Sequence, residues 1–504
     1  MKSMFASKNS LLSVSIAIAL AGCSISPEPL TRSDIQAKAA DDLAKITAEQ
    51  AQVTSLDISG AIARALKHNR ERKLQTMQGV LEQGQLDVNN FDMLPQLAAN
   101  AGYSERNNYA ASASTTFVNG VPNPLLASPT YSVSQDKTHN SNSVAFTWNV
   151  LDFGLSYYRA KQQADRFLIA KERERKVVHN IIQDVRNSYY RAVSAERLLG
   201  KIEPLIQAAQ SALDDSGKIE QLRAKSPMDA LGYQRELLEI LRTLQSLRSD
   251  LMTAKTELST LMGMKPGQNF TLVDVNTPNF VVPNVTVSIT DMEKTALEKR
   301  PELVEGQYNR RISVEETKAA LVSLLPGISL NAGSYYDDTR YLKNNDWTGV
   351  GASVSWNLFN VFKAGTITDV ADMKKNLAEE QALATSMAVL SQVHIANIKY
   401  AEAKRSYDLS DKYLGVAKRI SDQVKNANAT QRSGKLEMIR EDLNLVLAEL
   451  RRDVAYADVQ NSYGRIFASM GLDPVAAGFK DQSTDELSKT IGNTFAKWQS
   501  GKLD

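Results

Sequence analysis

Residues 144–154 read VAFTWNVLDFG, and residues 350–362 read VGASVSWNLFNVF. In the first stretch Val144, Phe146, Trp148 and Val150 fall on one face of a period-two pattern, with Ala145, Thr147 and Asn149 on the other. That alternation predicts a strand apolar on one side only. A shift of 208 residues places Ala352, Val354, Trp356 and Leu358 under the same four positions, so the strand is half of an internal repeat. Both copies run directly into a long helical pattern, which predicts a strand that leaves a sheet and continues as a helix.

Working outward, the repeat extends over most of the chain. Ile58–Gly102 aligns with Ile289–Gly333 at an offset of 231, pairing Leu94-Pro95 with Leu325-Pro326 and Asn100-Ala101-Gly102 with Asn331-Ala332-Gly333. Trp148–Gly263 aligns with Trp356–Gly471 at 208. The two offsets differ by 23, so the first hairpin loop is longer than the second by that number of residues. Helix length is kept while loop length drifts, as expected where helices share a register and a surface loop does not.

The periodicity predicts a helix from about Asp57 to Phe91, with Ile62, Leu66, Leu74, Leu81 and Val88 among its apolar positions, then a strand from Gln96 to Asn107. Residues 108–143 are rich in Ser, Asn, Thr and Pro and predict a long polar surface loop. From Leu155 to about Gln210 Val178, Ile181, Ile182, Val185, Tyr189 and Val193 recur at three- and four-residue spacings, with a break expected near Asp214-Asp215-Ser216-Gly217 and Ser226-Pro227. The helix that follows carries Leu237, Leu244, Leu251 and Leu258 at every seventh position, beside Ile240, Leu247 and Leu261. Heptads mean packing against other helices. Thr290 and Glu293 have the spacing of a capping box at the start of the second half.

Composition narrows the function classes. The 504 residues carry 59 basic and 57 acidic side chains, which gives no general polyanion-binding surface and argues against nucleic acid as a partner. The mean hydropathy is −0.31, and no apolar run is long enough for a membrane-spanning helix. Membrane β-strands escape that test because alternation hides half of each strand. The four histidines, His68, His139, His179 and His394, are scattered without ligand spacing, and neither a phosphate-binding loop nor a nucleophile elbow is present. No enzyme, metal site or cofactor is expected.

The single cysteine lies in Leu20-Ala21-Gly22-Cys23, after Lys2, Lys8 and an apolar run from Leu11 to Leu20. This is a secretory signal, and its last four residues resemble a bacterial lipobox, which implies a lipid on Cys23. The segmentation that follows is a signal at 1–22, a lipidated polar tether at 23–55, a first repeat at 56–263, an extended connector at 264–289, a second repeat at 290–473 and a polar tail at 474–504.

Four one-sided strands of about ten to twelve residues have the length needed to cross an outer membrane. Four cannot close a barrel, and open edges in lipid leave backbone groups unsatisfied. The chain must therefore oligomerise. A trimer gives twelve strands, a dimer eight with little room inside.

The Leu-Pro endings, the Trp-Asn strand ends at Trp148-Asn149 and Trp356-Asn357, and the closing glycines Gly263 and Gly471 give the chain, over roughly residues 55–475, a resemblance to the TolC-family outer-membrane efflux proteins, of lipoprotein type. The resemblance implies a mainly α protein with membrane β structure: a homotrimeric twelve-stranded β-barrel, four strands per protomer, continuous with a long α-helical barrel. It implies an exit duct in the outer membrane for an inner-membrane transporter and its periplasmic adaptor, in efflux or type I secretion. The helical-hairpin tips, Gln221–Pro227 and Thr430–Gly434, lack the Val-Gly-Leu-like turn common among drug-efflux members. Acidic residues near such tips line the entrance in TolC-like proteins. The 208-residue offset pairs Asp229 with Glu437 and Asp214 with Asp422, the candidate periplasmic gate. Trp148 and Trp356 are the candidate membrane-boundary aromatics. Two competing readings are a non-conducting lipoprotein that braces the envelope, which has no need of one-sided strands, and a soluble coiled-coil adaptor, which would carry a compact β domain between its helices.

Overall fold

A computed structural model describes residues 27–48, 55–114, 117–122, 130–221, 227–268, 270–273, 280–429, 434–475, 478–500 and 502. Two units are distinguished, one ending at Val53 and the other beginning at Thr54. In the first, Arg32–Ala48 forms helix α1, exposed along its length and edged by Lys38–Asp42 and Lys45–Asp41 ion pairs of 2.8 and 2.7 Å. The expected tether therefore contains a helix. The capped start, in which Thr31 and Asp34 exchange hydrogen bonds, gives its physical reason. The expected lipid-bearing Cys23 lies outside the described residues.

The second unit opens with β1 (Ser55–Leu56) and α2 (Ile58–His68), whose cap Asp57 accepts from the Gly60 amide. Where one helix was expected to run to Phe91, the chain breaks at Asn69 and resumes as α3 (Arg70–Phe91). The Asn69 side chain accepts from the Glu71 and Arg72 amides, so it caps the new helix as Asn readily does. Next come β2 (Gln96–Glu105), β3 (Thr138–Asn149), α4 (Val150–Gln221), α5 (Pro227–Leu261) and β4 (Thr271–Leu272), which pairs in parallel with β1. β3 starts inside the segment read as loop. Its first half, Thr138 to Ser143, is polar and gives no alternation signal. The helix break expected near Asp214 is absent: α4 continues through Gly217 and carries Pro204 within it.

The second half repeats the first as α6 (Ile289–Lys299), α7 (Pro301–Val322), β5 (Gly327–Asp337), β6 (Asp346–Ser355), α8 (Asn360–Ala429) and α9 (Lys435–Ser469). The cap of α6 is Ser288, accepting from the Asp291 amide, rather than Thr290, and Glu293 pairs with His394 instead of closing a box. At about 1.5 Å per residue α4 and α8 each reach on the order of 100 Å.

Two tie points recur. Asn69 Nδ2 donates to the Leu261 carbonyl at the end of α5, and Arg300, at the equivalent break, donates to the Ala468 carbonyl at the end of α9. Beside them Gly263 and Gly471 adopt φ of 66° and 71°, and a Cβ there would lie 2.5 Å from the His68 oxygen and 2.6 Å from the Lys299 oxygen. The closing glycines are fixed by this close approach as well as by their backbone angle.

The helices pack around two apolar cores. One gathers Leu198, Ile202, Leu237, Leu244 and Ile439, so the heptad leucines are buried as expected. The other gathers Val393, Tyr456, Tyr463, Phe467 and Trp498. Trp498 belongs to α10 (Thr484–Gln499), in the segment read as a polar tail. A Ser483–Glu486 capping box starts this helix, and Leu487, Ile491 and Trp498 are buried, with Trp498 stacked on Phe467 at 4.8 Å. No helix among the described residues is long and apolar enough to cross a membrane.

Candidate functional site

The four long strands form one antiparallel sheet in the order β6-β5-β3-β2. Residues directly opposite in such a sheet share a face, so the register assigns every side chain. One face carries the rows Leu97–Phe146–Ala332–Val350 and Trp148–Leu330–Ala352, then Ile328–Val354. The other carries Ala98–Ala145–Gly333–Gly349 and Gln96–Thr147–Asn331–Gly351. The first face is apolar and open, with Val350 89 % exposed and Val354 69 % exposed. The second is small and polar in these rows and carries the stacked Tyr335–Trp347 pair nearer the loop end. β2 and β6 each keep one edge without a strand partner among the described residues.

At the helical end of the sheet the Trp-Asn pairs act twice. Asn149 Oδ1 accepts from the Leu151 and Asp152 amides and so caps α4, while Asn357 Oδ1 accepts from the Phe359 amide just before α8. This is how each strand hands over to its helix. Trp148 is half-buried and edge-on to Phe153 at 5.8 Å, and Trp356, 48 % exposed, donates from Nε1 to the Leu324 carbonyl at 2.9 Å. At the loop end of the same face stand Tyr103 and Tyr336, both exposed. The level of Trp356, one step beyond the Gly327–Ser355 pair, lies ten residues from Tyr336 along β5. That is roughly 33 Å of strand at about 3.3 Å per residue, or ~25 Å of height at a tilt of about 40°, the height of an outer-membrane apolar band. The tyrosine end is the part of this pattern not expected from the sequence. Tyr103 lies on the same face as Leu97, and its height depends on the register.

At the opposite pole, Asp229 and Glu437 each occupy the third residue of the returning helices α5 and α9. Asp214 and Asp422 each lie seven residues before the ends of α4 and α8. All four are exposed. Asp214 accepts from Gln210 Nε2 at 3.3 Å. The tip segments 222–226 and 430–433 lie outside the described residues. The sequence did not single out the groups that tie one hairpin to the other. Lys435 meets Asp215 at 3.6 Å, and Arg440 pairs with Glu236. Both join residues far apart in sequence, so only the packed helices bring them together. On the second hairpin, the buried Ser421 donates to Asp442 at 2.9 Å and Lys425 pairs with the same carboxylate at 2.9 Å. Among the described residues no three His, Cys, Asp or Glu side chains cluster as metal ligands.

Neither a family model nor a curated protein matches this sequence. Solved structures do match. The Campylobacter jejuni CmeC outer membrane channel superposes with a TM-score of 0.61 at 14 % identity, covering 87 % of this chain and 89 % of that one. The outer-membrane channel OprN gives 0.60 at 14 %, covering 84 % and 90 %. The open-state MtrE outer membrane channel of Neisseria gonorrhoeae gives 0.57 at 15 %, covering 81 % and 88 %. This chain has the TolC-like outer-membrane channel fold. In this chain that fold comprises the four-stranded sheet and a helical body of α3, α4, α5, α7, α8 and α9. These neighbours are channels rather than enzymes, and the likeness spans nearly the whole of each.

Proposed function

We propose that the protein is an outer-membrane exit duct, a homotrimer that passes substrates received from an inner-membrane transporter and a periplasmic adaptor. The observation that carries this reading is the sheet with one apolar face, one face that is small and polar apart from the Tyr335–Trp347 pair, and two open edges. Such a sheet is stable in lipid only when its edges are closed by copies of itself. Three copies make a twelve-stranded barrel with the polar face inward, wide enough to conduct. The helices supply the matching argument. Leu74, Met77, Leu81 and Val88 on α3, and Val370, Met373, Leu377 and Met387 on α8, are exposed at mostly three- and four-residue spacings. These stripes are the faces that neighbouring protomers would cover. Leu74, Leu81 and Val88, apolar positions of the predicted helix, are in this reading subunit-interface residues.

On the same reading Trp148, Trp356, Tyr103 and Tyr336 mark the two membrane boundaries, and Asp229, Glu437, Asp214 and Asp422 ring the periplasmic mouth. Cys23 carries the lipid, which adds anchoring to a body held by its own strands. Drug efflux and type I secretion both use a duct of this kind, and the tip segments are where an adaptor would dock. The decisive experiment is native mass measurement of the full chain in detergent, followed by planar-bilayer recording. A trimer with stable single-channel conductance is the expected result. A monomer or dimer, or a trimer that never conducts, would overturn the proposal and favour an envelope brace. Mass spectrometry of the mature N-terminus checks the lipid on Cys23.

A further inference from the structure

A buried charge in the helical body, Arg186, forms no ion pair among the described residues. Arg186, on α4, is 6 % exposed. Its Nη2 donates to the Gln460 carbonyl at 3.3 Å and to Gln460 Oε1 at 3.2 Å, and its guanidinium lies 5.0 Å from the centre of the Phe495 ring on α10. Those partners are neutral. Among the described residues no carboxylate pairs with Arg186, and the charged or titratable neighbours that influence it are Tyr190, Tyr456 and Tyr463. An isolated buried cation costs several kcal/mol, and arginine does not escape by losing its proton.

Three polar atoms around it are buried and unpartnered: Arg186 Nε, Gln183 Oε1 and the Tyr463 hydroxyl. All three residues line one small cavity of about 20 Å³, together with Gly464, His179, Phe495 and Trp498. Gly464 makes the room. A Cβ on it would lie 2.8 Å from Gln183 Oε1 and 2.9 Å from Arg186 Nε, so the bare backbone lets both atoms approach each other beside the cavity. The equivalent position in the first half is Thr256, and the counterpart of Arg186 is His394, so this arrangement exists in one half of the repeat only.

We propose that this cavity is a binding site for a single monatomic monovalent anion, chloride in the cell, held between α4, α9 and the C-terminal helix α10. Arg186 Nε and the Tyr463 hydroxyl each donate one hydrogen bond. Gln183 donates a third once its amide is turned so that nitrogen replaces oxygen, an exchange that leaves the shape unchanged. The volume accepts one atom of about the size of water. The anion neutralises the guanidinium that Phe495 covers, so its binding is linked to the docking of α10. The site is independent of whether the protein conducts.

The test is thermal unfolding of the purified full chain at equal ionic strength in sodium chloride, bromide or gluconate, read by loss of helicity. A ligand that binds only the folded state raises Tm in a saturable way. Chloride and bromide should raise it by about a few °C over gluconate, and the increment should vanish in Arg186→Met and shrink in Gly464→Ala. Equal Tm in all three salts, or an increment that persists in Arg186→Met, would overturn the site. If Arg186→Met does not fold, anomalous scattering from crystals of the wild type grown in bromide decides. A peak beside Gly464 supports the site, and a water only overturns it.

Discussion

Gly471 shows what one residue position demands. Its φ of 71° already costs an L side chain about 1 kcal/mol or more, and a methyl group would collide with the Lys299 carbonyl 2.6 Å away. Gly471→Ala should therefore lower the Tm of the folded protein by several degrees, whereas Gly415→Ala, on α8 with nothing within 4 Å, should leave it equal or higher. Thermal melts of the two variants side by side make the comparison. The sequence marked Gly263 and Gly471 as ends of a repeat, but their reason is a contact with the end of a helix some 170 to 195 residues earlier. Face assignment was more legible, because alternation states it directly. Val354 lies on the apolar side and Ser353 on the polar side. Val354→Arg, two residues inside the Trp356 boundary, should cost about 1 kcal/mol of membrane stability and reduce the heat-resistant trimer, while Ser353→Arg should assemble and alter conductance. Equal assembly of both would reverse the facing.

At the scale of elements, heptads and three- or four-residue spacings gave the long helices, because the stripes in α4 and α5 are continuous and buried. What failed was punctuation. The Asp-Asp-Ser-Gly run at 214–217 looks like a stop, yet each residue sits on a helix already held by neighbours over tens of ångströms, and tertiary packing overrides local propensity. Conversely, Asn69 breaks a helix whose apolar pattern runs straight through it. The polar composition of the last thirty residues hid α10, because a single helix buries only a narrow stripe. At the tips, Asp229 and Glu437 stand in the first turns of α5 and α9, where a carboxylate is also favoured by the helix dipole. If they also ring the mouth, Asp229→Asn with Glu437→Gln should lower the cation-to-anion permeability ratio in bilayer recordings and weaken block by multivalent cations. An unchanged ratio would leave them as first-turn acids favoured by the helix dipole. Replacing Lys435 and Arg440 with Ala removes both inter-hairpin ion pairs. Each exposed pair is worth about 0–1 kcal/mol, so melting should barely move, while a mouth held shut by these ties should conduct more.

For the whole molecule, the duplicated order of helix, strand, strand and two long helices was readable from two sequence offsets, though not the division of the first helix at Asn69, and the sheet has the four strands that order requires. The pairing of β3 with β5, which joins the two halves in one sheet, was not readable, since no local signal names a partner strand. The unequal hairpins carry a consequence of another kind. The longer segment between β2 and β3 contains small antiparallel pairs, Ala111–Ser112 with Ser132–Val133 and Phe117–Val118 with Val121–Pro122, and is pinned to the second hairpin where Asp136 meets Arg340 at 2.6 Å. In a trimer the outward-facing rim would alternate three tall turrets with three low ones. The turrets are what an antibody or a phage would meet first, and an inserted epitope there should label intact cells while the same tag between β5 and β6 stays hidden.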